Sequence, residues 1–165
     1  MTSPIFHLVC GPIGAGKTNY SNTLAESVKG VRFSIDEWMA ALFAADVPAP
    51  MELAWVMERV ERCQLQILAT ALQVSSRGTD VVLDLGFTTK RHRMATTELV
   101  TNAGYSGQLH YLDVSVEERW GRVERRNASR SNGYSFEISR TMFDYMEARF
   151  EVPDEAHLLA RSHLA

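Results

Sequence analysis

Lysine is scarce in this chain of 165 residues: Lys17, Lys29 and Lys90 stand against 14 arginines. With 17 basic and 20 acidic residues the net charge is −3, so no uniform cationic face offers itself to nucleic acid, and only a local basic patch could bind a polyanion. Cysteine is also rare. Cys10 and Cys63 make no C-x-x-C pattern, which leaves neither a disulfide framework nor a zinc site, and the five histidines show no metal spacing. No apolar run approaches the ~18 residues of a membrane span, and the segment Ile5–Cys10 has no basic flank before it. These absences lead us to expect a soluble cytoplasmic protein with no membrane partner. The 45% hydrophobic and 22% charged residues suffice for one core, and no linker interrupts them, so a single domain over 1–165 is expected.

The hydrophobic pattern alternates strands and helices. Ile5 to Cys10 reads as a buried strand ending at Gly11, and Lys17 to Lys29 as a helix stopped by Gly30. Val31 to Ile35 forms a second strand ending at Asp36. Glu37 to Ala45 reads as helix until Pro48 and Pro50 break it, and Met51 to Arg77 as a long core-facing helix. Val81 to Leu85, interrupted only by Asp84, has the continuous apolar character of a strand covered on both faces. Thr89 to Ala103 (helix), Gln108 to Val114 (strand), Val116 to Asn127 (helix) and Phe136 to Phe150 (helix) complete an α/β chain with a mostly parallel sheet.

Gly11 to Thr18, GPIGAGKT, satisfies the G-x-x-x-x-G-K-[ST] pattern, with a strand before it and a helix after it. Glycines 11, 14 and 16 let the backbone curl so that successive N–H groups face a phosphate. The helix N-terminus adds its positive dipole end, Lys17 reaches the terminal phosphates, and Thr18 offers its hydroxyl to Mg2+. The nucleotide-binding set is therefore Gly11, Pro12, Ile13, Gly14, Ala15, Gly16, Lys17, Thr18 and Asn19.

Such a loop implies nucleotide phosphate, not a reaction. No Asn-Lys pair exists to form a guanine motif, and Leu85 rather than a second acid follows Asp84, against the larger motor-type ATPases. A small phosphotransferase remains. Asp36, at the carboxyl edge of the second strand, can take the proton of an acceptor hydroxyl, or it can cap the following helix; the two roles are compatible. Asp84, costly to bury alone, is a candidate metal-side carboxylate together with Thr18, or else a hydrogen-bonded strand-end residue. Arg122 and Arg126, four apart on one helical face, could offset charge on a transferring phosphoryl group, while Glu117, Glu118 and Glu124 offer a plain surface alternative. Trp38, Arg91 and Arg93 are the acceptor-side candidates: the arginines could meet an anionic acceptor or simply open a solvent-exposed helix, and Trp38 could line an apolar pocket or pack in the core.

HLVCGPIGAGKT, FSIDEWM, VVLDLGF, RVERRN and FEVPDE, in this order, make the chain resemble the small P-loop kinase-like proteins grouped with zeta toxins, chloramphenicol phosphotransferase and polynucleotide 5′-hydroxyl kinases. The resemblance implies a three-layer αβα P-loop fold with five parallel strands in the order 2-3-1-4-5, the last strand short, and a lid at about 119–135. It further implies ATP and Mg2+ as cofactors and transfer to a hydroxyl. Lys17 and Thr18 would lie at the phosphates and metal, Asp36 would be the base, and Arg122 and Arg126 the lid arginines. The polynucleotide kinases of this group carry an arginine where this chain has Met39, which turns the expectation from nucleic acid toward a small-molecule acceptor. A regulatory or toxin-like module acting through a protein partner and a nucleic-acid 5′-hydroxyl kinase are the alternatives.

Overall fold

The computed structural model describes residues 3–129 and 137–155. The elements run β1 (Ile5–Cys10), α1 (Lys17–Val28), β2 (Val31–Ser34), α2 (Ile35–Phe43), a 3₁₀ turn (Ala44–Asp46), α3 (Leu53–Ser75), β3 (Val81–Asp84), α4 (Lys90–Asn102), β4 (Ser106–Tyr111), α5 (Val116–Ser129) and α6 (Arg140–Glu147). All pairings are parallel, in the order β2-β3-β1-β4. This is the first four-strand portion of the expected 2-3-1-4-5 order. The short fifth strand, expected near 157–160, and residues 130–135 of the expected lid lie outside the described residues.

Strand periodicity sorts the side chains into two layers. Phe6, Leu8 and Cys10 of β1, Val81 and Leu83 of β3, Phe33 and Leu109 face a core closed by Cys63, Ile67, Leu68 and Ala71 of α3 and by Val100 of α4. The α3 residues recur at helical spacing, so one face of this helix is buried and the opposite face is free. Val9 and Val82 point the other way and pack with Leu112 and Ala15 against Tyr20, Leu24 and Ala25 of α1. A third cluster of Val123, Ile138 and Phe143 joins α5 to α6 beside Ile13.

The second sheet face also carries polar groups. His7 Nδ1 meets His110 Nε2 at 2.9 Å, and the Tyr20 hydroxyl lies 2.7 Å from His110 Nδ1. His7 Nε2 lies 3.5 Å from Asp80 Oδ2 without a formed hydrogen bond, while Asp80 Oδ1 accepts from the Ile5 N–H. Both histidines are buried, and burial holds both pKa values down, that of His110 to about 4. The neutral rings thus form a polar bridge between the α1 helix and the start of β3.

Several boundaries differ from the sequence expectation. The strand expected over 108–114 ends at Tyr111, because Leu112 turns in to pack on Gly11 and Val9. The last helix begins at Arg140 with Ser139 as its cap, and Ile138 sits in the α5–α6 cluster instead of in the helix. Asp36 is not the helix cap that the sequence allowed. Ser34 fills that position, accepting from Glu37 N at 3.4 Å, and places Asp36 inside the first turn of α2.

Candidate active site

The glycine loop leaves β1 at the carboxyl edge of the sheet and has no room for side chains. A Cβ on Gly11 would stand 3.1 Å from the Ala15 Cβ, and one on Gly14 only 2.7 Å from the Arg119 carbonyl. Gly14 and Gly16 adopt φ of +77° and +94°, the left-handed region that glycine tolerates. α1 then starts at Lys17 with no side-chain cap and no acidic residue in its first turn, whereas Ser34, Thr89 and Ser139 cap α2, α4 and α6. Its positive end is left for an anion. Lys17 Nζ bends over the loop and donates to the carbonyls of Gly11 (2.9 Å) and Pro12 (3.2 Å). Burial lowers the lysine pKa, and the nearby charges of Asp84 and Asp36 oppose that shift. Thr18 and Asn19 are exposed in the same turn.

The β2–β3 register places Ser34 beside Asp84, and this brings two carboxylates to the loop. Asp84 is buried. Its Oδ2 accepts from Arg32 Nη2 at 3.1 Å and lies 3.2 Å from the Ser21 hydroxyl. Arg32 also donates through Nε to Ser21 (2.8 Å) and through Nη1 to Glu37 (2.6 Å). Asp36 is open to solvent on one side and crowded by protein on the other. Burial and then the charge of Asp84 raise its pKa, against the opposing pull of Lys17, Arg32 and Arg126. A carboxylate whose proton affinity is raised is better suited to accept a hydroxyl proton. Arg32 is the residue that sequence reasoning overlooked. Alternation along β2 puts it on the face of Ser34, and hence of Asp84, once the two strands are paired.

The helix that carries the arginines lies directly on the loop. Arg122 donates to the Ala15 carbonyl at 3.0 Å and also to Glu118. Arg126 has a buried Nε with no hydrogen-bond partner, and its charge reaches Asp36. Arg119 is fully engaged elsewhere: it donates to Val114 O, Ile13 O and both oxygens of Glu147, so it ties the loop to α6.

The acceptor-side expectations need correction. Arg93 has no exposed surface: its guanidinium is spent on both oxygens of Glu155 and on the Phe87 and Glu151 carbonyls, so it cannot face an anionic acceptor. Arg91 is exposed on the first turn of α4. Trp38 is half-buried, packs on Phe33, and shares a shallow apolar hollow of about 320 Å³ with Leu42. A larger groove of about 690 Å³ opens between α3 and the β3–α4 connection, starting at Leu85, the residue after Asp84. The segment Phe150 to Glu155 holds the far wall in place: Glu151 N–H donates to Thr88 O (2.9 Å), and Glu151 Oε2 accepts from Lys90 N–H (2.6 Å).

Comparison with known proteins agrees with this architecture. A family model described as AAA domain matches residues 6–153. No curated protein matches. Among solved structures, Kti12 of Chaetomium thermophilum in complex with ADP-AlF3 superposes with a TM-score of 0.67 at 18% identity, over 90% of this chain and 81% of that one. The Mycobacterium tuberculosis APS kinase CysC in complex with AMPPNP and APS gives 0.66 at 13% identity, over 97% and 89%. A gluconokinase from Sinorhizobium meliloti 1021 gives 0.59 at 14%, over 97% and 82%. At these identities the likeness is one of fold.

Proposed function

Because the chain belongs to the AAA domain family and has a P-loop kinase-like fold, we propose that it is an ATP- and Mg2+-dependent kinase that phosphorylates a hydroxyl of a small molecule. One observation carries the reading: Asp36, in the first turn of α2, lies within electrostatic reach of Lys17, Asp84 and Arg126 beside the glycine loop, from which α1 starts uncapped. The nucleotides bound by the Kti12 and APS kinase structures support the same use of the loop.

The loop N–H groups and Lys17 hold the β- and γ-phosphates, which requires Lys17 to leave the Gly11 and Pro12 carbonyls. Thr18 and Asp84 are the oxygen donors beside the loop. So small a set suits an ion that keeps several waters and takes phosphate oxygens as ligands, and when bound it would offset phosphate charge. Arg32 and Ser21 hold the Asp84 carboxylate in place beside the loop. The acceptor oxygen bonds to the γ-phosphorus as the bond to the β–γ bridging oxygen breaks. ADP keeps that electron pair, and Asp36 takes the hydroxyl proton. Arg122 and Arg126 lie where charge spreads over the transferring group. The groove beginning at Leu85 suits the acceptor, and its volume falls in the range of small-molecule sites.

The test is ADP release across a panel of alcohols, sugars and 5′-hydroxyl oligonucleotides. Lys17→Ala and Asp36→Asn should each abolish turnover of whichever acceptor is accepted. Unchanged turnover in both variants refutes the assignment, and turnover confined to oligonucleotides refutes the small-molecule reading.

A further inference from the structure

The charge of the acceptor groove follows from which side chains are already paired. On the α4 side Arg93 is committed to Glu155, Lys90 Nζ to Asp154 at 2.6 Å and the N-terminal amide of α4 to Glu151, while the exposed Arg91 is not among the residues lining the groove. His92 lines the same wall, but burial and the charge of Arg93 lower its pKa and keep the ring neutral. On the α3 side Glu58 and Glu61 face the groove three residues apart, on one helical face. Glu58 is shared with the exposed Arg62 at 3.3 Å and with Arg59 at 3.5 Å, and Arg59 lies over the Trp55 ring at 3.8 Å. Glu61 has no ion-pair partner among the described residues. No lysine or arginine among the described residues lines the groove, although the chain holds 17 of them. An anionic acceptor would meet Glu58, whose charge is shared with Arg59 and Arg62, and Glu61, which has no counter-charge among the described residues.

Resting on the kinase reading above, we propose that this groove selects a cationic acceptor, a hydroxyl-bearing amine of the amino-alcohol or amino-sugar class, with its ammonium on Glu58 and Glu61. The apolar floor of Leu85 and Phe87 takes the carbon skeleton. Because Leu85 directly follows Asp84, a molecule lying along that floor presents its hydroxyl at the phosphate edge of the sheet. Phosphoryl transfer proceeds as described above, oxygen to phosphorus with the proton going to Asp36, and the ammonium group takes no part in the bond changes.

The experiment uses the full chain with Mg2+–ATP for ADP release and with Mg2+–ADP for calorimetric binding. Glucosamine, galactosamine and ethanolamine are compared with their N-acetyl derivatives, with glucose and with gluconate. The amines should bind and turn over, and N-acetylation should raise KM about tenfold or more, the effect of losing a charge-assisted contact. The double variant Glu58→Gln, Glu61→Gln should raise KM for the amine roughly 10–100-fold while ATP affinity is kept, and added salt should raise the wild-type KM. Preference for neutral or anionic alcohols overturns the inference and leaves the kinase reading intact, as does failure of any amine to bind. Amine binding that needs both glutamates, with no ADP released, upholds the groove's selectivity and overturns the kinase reading.

Discussion

Acidification should strip stability from this protein, and His110 should carry a measurable share of the loss. His110 sits at 5% exposure between Tyr20 and His7, and its pKa is pushed from 6.5 down to about 4. The folded state therefore binds the His110 proton less readily than the unfolded chain does. Above pH 6.5 the ring is neutral in both states and stability is intact. As pH falls below 6.5 the unfolded chain gains a proton that the fold refuses, and stability drops until the folded ring itself titrates near pH 4. At 1.36 kcal/mol per unit the full cost is about 3 kcal/mol. Urea unfolding of wild type and His110→Asn at pH 7.5, 6.0, 5.0 and 4.5 isolates this cost, because carboxylate titration is common to both proteins. Between pH 6.0 and 4.5 the wild type should lose about 2 kcal/mol more than the variant. Parallel losses over that interval would refute the buried-histidine account, and a wild type that gains stability on acidification would invert its sign.

Glu155→Gln removes one member of a fully buried ion pair and should lower stability by about 3–5 kcal/mol, measured as a fall in the urea midpoint; an unchanged midpoint would mean that Arg93 finds another partner. Arg32→Met leaves Asp84 buried without its guanidinium partner and should lower stability by about 3–5 kcal/mol, read as a fall in the urea midpoint; an unchanged midpoint counts against that role. Gly14→Ala forces a Cβ to 2.7 Å from a carbonyl and should abolish binding of a fluorescent ATP analogue, while Gly104→Ala, strained in φ but with nothing within 4 Å, should leave binding in place. If Asp36 is the base, the acid limb of the kcat/KM profile should lie above the ordinary carboxylate range, in line with its raised pKa; a limb at or below that range argues against it.

The glycine loop, the order of the helices and the two aspartates were legible because each is a local signal: a spacing, a periodicity, or an acid at the end of an apolar run. Arg93 was not, since an Arg-His-Arg run opening a helix reads as solvent-facing until Glu155, 62 residues away, is folded against it. The same holds for His7 and His110, which are 103 residues apart in sequence and 2.9 Å apart in the fold. Arg32 carried half a signal. Its side is set by strand alternation, but its partner is known only after β2 is paired with β3 and not with β1. Pairing across the sheet is a tertiary fact, and charges that are satisfied by it read as free in a one-dimensional sequence.

The segment from Phe150 to Glu155 has a consequence for how the protein is made. Loop, lysine and first helix leave the ribosome early, and the carboxylates that fasten the α4 wall leave late. β1 gains its partner strands only with β3 and β4, and the loop its tie through Arg119 to Glu147 only a few residues before Glu151 to Glu155 fasten the α4 wall. A stop between Glu147 and Glu151 would therefore keep the ties of the loop to α5 and α6 while leaving Arg93 and the start of α4 without Glu155 and Glu151.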